Sequence, residues 1–532
     1  MTLQEEWWRG AVTYQIYPRS FQDSDGDGVG DLAGIAARLD YVARLGVDAI
    51  WLSPVFPSPM KDMGYDVSDY RGIHPLFGTL ADFDRLLALA HERQLKVIID
   101  QVLSHCSDEH PFFSESRASR DNPRADWFVW VDPNPDGTPP NNWLSHFGGP
   151  AWTWASRRKQ FYLHNFLGSQ PDFNFHNPDV QDWHVETLRF WLDRGVDGLR
   201  LDTVNYFFHD RQLRSNPALP SGMAEFDTIP YFFQDHIHQK TQPENLAFVE
   251  RLRRLTNSYG ARAMVGEISA GHRARQVMGD YTRGSGRLHM AYSFDLLGPR
   301  FSPHHFRSTV EAFFAAAPDG WPAWAFSNHD SPRHVSRWAE HGPPEALARL
   351  SAALLLSLEG SVFLYQGEEL GQTETELDLE ELRDPPGITF WPEYKGRDGC
   401  RTPMVWNGSL HGGFTTGTPW LPVKPPQLVR HAAGQEREDT VLSFYRHMIA
   451  LRKATPALRT GRTRFRDSVD GLLWFDRGDD VTCLFNLSRE AVPIPPQFLS
   501  SPTLLSEGLI TGPGPVSLAP LGFMLSRAAT SL

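Results

Sequence analysis

Short apolar, β-branched or aromatic runs recur along the chain at 12–17, 49–53, 97–102, 198–202, 263–267, 289–294, 323–327 and 362–365. Between several of them lie stretches whose apolar residues repeat with helical spacing. The spacing predicts helices over 32–45, stopped by Gly46; over 80–93, opened by Thr79; and over 180–194, stopped by Gly195. Eight strands alternating with helices predict a parallel (β/α)8 barrel of the α/β class.

Two stretches break the rhythm. Residues 105–170, after the third strand, are rich in Pro, Asn, Asp and Trp and too long for a loop, so they read as an inserted domain. Residues 367–430, after the eighth strand, are dense in Gly, Pro and Trp and read as an irregular cap. Beyond a last helix at 443–452, short alternating segments such as 472–475 and 481–484 are separated by turn residues. The expected division is a barrel from 1–104 and 171–455, the insertion, and a C-terminal antiparallel β-sandwich over 456–532.

Composition narrows the chemistry. With 532 residues the chain has room for several domains, and its net charge of -13 disfavours nucleic acid and anionic membrane surfaces as partners. The three cysteines, Cys106, Cys400 and Cys483, form neither a disulfide framework nor a zinc motif. The start, MTLQEEWWRG, lacks a basic region followed by an apolar core, and the strongest apolar stretch, 350–358, is too short to span a bilayer. A cytoplasmic protein, monomer or homodimer, is expected. Aromatic residues at 12% leave rings to spare for stacking on flat ligands.

Catalytic groups in barrels come from the C-terminal ends of strands. Here those ends carry Ser104 and His105, Arg200 and Asp202, Glu267, and the run Asn328, His329, Asp330; the loop after the second strand adds Asp62, Tyr65 and Asp66. The segments DQVLSH (100–105), QPDFN (170–174), GLRLDTV (198–204), VGEIS (265–269) and SNHD (327–330) stand in order along the chain. In that order they resemble the signature segments of the α-amylase family of glycoside hydrolases. The similarity extends from WWRGAVTYQIYPRSF (7–21) through QGEELG (366–371). Within the family the chain most resembles the bacterial α-glucosidases and oligo-1,6-glucosidases.

The resemblance implies a retaining, exo-acting α-glucosidase with no organic cofactor. Asp202 is the expected nucleophile: Arg200, two residues earlier on the same strand face, would keep it ionised and oriented. Glu267 is the expected acid/base, since a retaining mechanism needs a second carboxyl group about 5 Å away. By resemblance, Asp330 is the third carboxylate, and His105 and His329 are sugar-hydroxyl ligands. Asp62 and Arg401, the latter in GRDGCRTPM (396–404), would grip the terminal glucose over the ring of Tyr65, with Phe147 and Phe166 walling the pocket. Thr203, directly after the nucleophile, accompanies α-1,4 cleavage in this subgroup. The substrates implied are maltose, short malto-oligosaccharides and sucrose, with transglucosylation alongside hydrolysis. Other family members act as oligo-1,6-glucosidases, as sucrose- or trehalose-active glucosyltransferases, or as non-catalytic transporter subunits, the last needing a membrane anchor.

One motif lies apart from these. Asp23, Asp25, Asp27, the carbonyl of Val29 and Asp31 follow the oxygen-donor spacing of an EF-hand, but Gly34 stands where that motif needs a bidentate Glu. The loop resembles instead the one that holds a structural divalent cation, Ca2+ or Mg2+, in this subgroup.

Overall fold

A computed structural model describes residues 6–223, 228–467, 469–499 and 501–528. The first five residues, part of the segment read for a secretory signal, lie outside it. All eight expected strands form: β1 Val12–Ile16, β2 Ala49–Leu52, β3 Lys96–Gln101, β4 Gly198–Leu201, β5 Ala263–Ile268, β6 Met290–Ser293, β7 Ala323–Ala325 and β8 Ser361–Tyr365. They pair in the order β7-β8-β1-β2-β3-β4-β5-β6, all parallel, and a bridge between Ala291 and Pro322 closes the ring.

Period-two geometry then sorts the side chains. Ala49, Trp51, Ile98, Val265, Tyr292, Ala325 and Phe363 fill the barrel interior. Their neighbours Ile50, Leu52, Val97, Ile99, Leu199, Leu201 and Met264 point outward into the core under the helices. One principal helix follows each strand: α1 Leu32–Leu45, α2 Leu80–Glu92, α3 Pro178–Asp193, α4 Glu244–Asn257, α5 Ala274–Thr282, α6 Pro303–Ala316, α7 Pro344–Leu355 and α8 Val441–Ala454. Local chemistry sets their ends. Asp31 caps α1 by accepting from the amide of Gly34, Gly46 ends it in the left-handed region at φ 86°, and Thr79 with Asp82 makes a reciprocal capping box on α2. Pro178 at the first turn of α3 starts that helix two residues before the expected position.

The insertion after β3 contains a three-stranded antiparallel sheet, Trp130–Val131, Gln160–Leu163 and Trp152–Ala155, with an apolar cluster of its own around Trp143, Trp152 and Phe161. Residues 367–430 form short helices and turns over the C-terminal mouth.

The C-terminal region departs from the expected sandwich. Its strands, among them Leu472–Arg477, Val481–Asn486, Thr503–Ile510 and Ser517–Arg527, belong to a single six-stranded antiparallel sheet. Phe475, Cys483, Phe485, Phe523 and Leu525 on one face merge with the barrel core. Leu472, Leu484, Leu518 and Met524 on the other face pack on Val492, Ile494 and Phe498. A second sheet is unnecessary because the barrel's own helices cover the inner face.

Candidate active site

The register of the barrel brings the strand-end acids together. Asp100 pairs with Arg200 across β3 and β4, and Glu267 pairs with Tyr292 across β5 and β6. The buried guanidinium of Arg200 becomes the hub. Its Nη1 donates to Asp100 Oδ1 and Asp202 Oδ1, both at 2.7 Å, and its Nη2 donates to Glu267 Oε2 and, at 2.7 Å, to the Tyr292 hydroxyl. That hydroxyl donates in turn to Glu267 Oε2 at 2.7 Å. Asp202 and Glu267 are therefore held on one guanidinium fork at the cavity floor.

Arg200 favours the ionised form of Asp202, and burial opposes it. Burial pushes Asp202 and Glu267 each up to about 7, against the pull of Arg200 and with help from neighbouring carboxylates. One guanidinium divided among Asp100, Asp202 and Glu267 cannot hold each as it would a single partner. Asp330 behaves oppositely. Burial works against its charge too, but His329, Arg397 and Arg401 outweigh it and hold the carboxyl well below the usual range.

Thr203 turns the chain out of β4 in the left-handed region, φ 37° and ψ 50°, a strained conformation for a β-branched residue. Its hydroxyl lies 3.2 Å from Asp202 Oδ2 and 3.1 Å from Ser104 Oγ, so the strain is coupled to the orientation of the carboxylate.

Above this floor lies a cavity of about 610 Å³, lined in part by Asp62, Tyr65, His105, Phe147, Phe166, Asp202, Thr203, Glu267, Asp330 and Arg397. Tyr65 is buried, stacked on His329 at 5.3 Å with its hydroxyl 3.1 Å from Asp100 Oδ2. His329 lies behind it, its Nδ1 2.8 Å from Gln15 Nε2. Burial pushes His105 down to about 4, leaving a neutral ring against Tyr65 O and Gln170 Nε2. Phe147 and Phe166 both reach the wall, 5.4 Å apart.

The two arginines of GRDGCRTPM divide the work differently from the expectation. Arg397, which the sequence reading passed over, is the cation on Asp62, at 2.8 Å, and also contacts Asp384 at 2.6 Å and Asp330 at 3.3 Å. Arg401 is fully buried behind the wall, bonded to His329 O and, at 2.9 Å, to Asp330. The two lie one helical turn apart, at either end of the short helix Asp398–Arg401, and only the tertiary structure shows which faces the cavity. Asp100, which opens the segment DQVLSH, and Tyr292 complete the hub although neither stands out in the sequence as a site residue; each lies near the end of an apolar strand.

The loop after β1 gathers Asp23, Asp25 and Asp27, whose carboxylate oxygens lie within 4.8 Å of one another. This all-oxygen set fits a hard divalent cation. Asp31 is engaged elsewhere, accepting from Ser24 and from Gly34, and the amide of Val29 bonds Asp27. Gly34 cannot be the missing Glu, because a Cβ there would sit 2.0 Å from the carbonyl oxygen of Gln22.

A family model described as the α-amylase catalytic domain matches residues 15–461. The chain belongs to the α-amylase family. It is a glycoside hydrolase, and its relatives in that family include a protein of Rhizobium meliloti named probable alpha-glucosidase, 55% identical over 91% of this chain and 90% of that one. An oligo-1,6-glucosidase of Heyndrickxia coagulans is 38% identical over 86% and 87% of the two chains. The crystal structure of the alpha-glucosyl transfer enzyme XgtA superposes with a TM-score of 0.94 at 51% identity, covering 98% of this chain and 99% of that one. Among the described residues no helix is long and apolar enough to cross a membrane.

Proposed function

We propose that this glycoside hydrolase is an exo-acting, retaining α-glucosidase that releases α-glucose from the non-reducing end of short α-1,4-linked glucosides. The observation that carries the reading is the pair Asp202 and Glu267 on the Arg200 fork, at the floor of a cavity walled by Asp62 and Arg397. Asp202 attacks the anomeric carbon while Glu267 gives its proton to the departing glycosidic oxygen. The bond to the leaving sugar breaks, and a β-glucosyl ester of Asp202 forms. Glu267, now a carboxylate, takes a proton from water, whose oxygen attacks the same carbon; the second inversion restores the α configuration and frees Asp202. Asp330, the most firmly ionised of the three acids, favours the positively charged transition state.

Thr203 supports α-1,4 selectivity. Transfer to a sugar hydroxyl is proposed beside hydrolysis, supported by the likeness to a glucosyl transfer enzyme and by apolar lining residues of the cavity, Ile229, Phe232, Phe294 and Leu297, on which an acceptor sugar can pack. A divalent cation on Asp23, Asp25 and Asp27 would neutralise their mutual repulsion and fix the loop after β1. The three buried free thiols, Cys106, Cys400 and Cys483, are compatible with a reducing cytoplasm.

Product anomers from maltose and isomaltose test the reading. Maltose should give α-glucose first, with a higher specificity constant than isomaltose, and Asp202→Asn should lower kcat by about a thousandfold or more. Initial β-glucose, or equal activity of Asp202→Asn, would overturn it.

A further inference from the structure

Four other histidines in and around the cavity and its insertion have their ring nitrogens tied to the protein. His105 contacts Ser104, Tyr65 O and Gln170; His236 contacts Gln239 and Tyr231 O; His164 contacts Thr153 and Phe166 O; His329 contacts Gln15 and Tyr65. His146 differs. It lines the cavity, its Nδ1 is buried without a hydrogen-bond partner, and its backbone amide, bonded to Asn165 O at 2.8 Å, fixes where the ring stands. The ring sits in an aromatic frame of Tyr231, Phe232, Phe147 and Phe166, with centroids at 4.8, 5.5, 5.7 and 5.9 Å.

Nδ1 has no exposed surface, so a molecule in the cavity can reach only the other ring nitrogen, Nε2, and leaving that nitrogen unbonded among four aromatic rings costs desolvation energy. Burial pushes its pKa down to about 3, so the imidazole is neutral and offers one donor and one acceptor. Its position indicates which part of a substrate it meets. Phe166, on one side, touches His105 at the glucose end at 5.0 Å; Phe232, on the other, belongs to the turn whose next residue, Phe233, is 45% exposed. His146 therefore stands between the glucose pocket and the outer mouth.

We propose that His146 hydrogen-bonds a hydroxyl of the second sugar, the leaving glucose in hydrolysis and the acceptor in transfer, and so favours sugars over apolar aglycones. The proposal rests on the α-glucosidase reading above, which the unsubstituted enzyme tests separately by releasing glucose from both maltose and para-nitrophenyl α-glucoside. His146→Phe keeps the aromatic frame and removes both nitrogens; His146→Asn restores a donor and an acceptor. In His146→Phe, kcat/KM for maltose should fall about five- to tenfold, mainly through KM, while the aryl glucoside changes by less than about twofold. Glucose transfer to maltose should fall relative to hydrolysis, and His146→Asn should recover part of both. Equal losses on the two glucosides, no loss on either, or loss of the folding transition in both variants would make His146 a packing residue and overturn the proposal.

Discussion

At the scale of single residues the site is governed by competition for cations. Arg200 is shared by three carboxyl groups, whereas Asp330 draws on Arg397 and Arg401. Glu267, lifted to about 7 by burial, is an acid near neutrality, and activity is expected to fall as pH rises through about 7 because the proton for the leaving oxygen is lost. The Tyr292 hydroxyl bonds the Glu267 carboxylate and so lowers that pKa. Tyr292→Phe removes a donor that favours the anion, so the pKa climbs and the alkaline limb of kcat/KM should move up by about half to one pH unit. A pH profile with para-nitrophenyl α-glucoside reads this directly, and a downward shift would contradict the assignment of Glu267 as acid. The arginine on Asp62 is a separable matter. Arg397→Ala would leave Asp62, Asp384 and Asp330 short of a counter-charge. KM for maltose is expected to rise at least about tenfold, whereas Arg401→Ala, at a residue behind the cavity lining but bonded to Asp330, should lower both the melting temperature and kcat.

Elements carry the next level of argument. The loop between β1 and α1 brings three carboxylates together, and Asp23 is also bonded by the Thr415 hydroxyl from the cap, so this loop fastens cap to barrel. If a cation sits there at about a hundredfold excess over its dissociation constant, it contributes about 2–3 kcal/mol. Chelation should then lower the thermal midpoint by about two to three degrees, and added Ca2+ or Mg2+ should restore it; an unchanged midpoint together with no bound metal would remove the cation from the account. The eight barrel strands were legible because each is an apolar run with a helix-length segment behind it. His105, Asp202 and Glu267 were legible as polar residues ending such runs. The Arg397 assignment was not, because 397 and 401 are equivalent in any local pattern and differ only in which way a short helix faces. The single C-terminal sheet was not legible either: alternation at 472–475 is the same whether the inner face meets another sheet or the helices of the barrel.

Across the whole molecule, barrel and C-terminal sheet share one core. Phe523 packs 5.7 Å from Phe444 of α8, and Phe475, Phe485 and Leu525 join the same buried cluster as α7. Polar contacts lock the junction. The buried guanidinium of Arg477 donates to the carbonyls of Ser357 and Gly461, while Glu359, after α7, accepts from the Thr463 amide at 2.6 Å and pairs with Arg462 at 3.1 Å. Arg477→Ala would strand those carbonyls away from water and open a void at the seam, at a cost of about 2–4 kcal/mol. Because, among the described residues, the sheet's inner face packs into the barrel core, the two should melt as one unit. Calorimetry should therefore record a single transition, lowered as a whole in Arg477→Ala, and a chain ending at 461 should expose that apolar face of α7 and α8 and aggregate. Two resolved transitions, with catalytic activity surviving the first, would show instead that the sheet folds apart from the barrel.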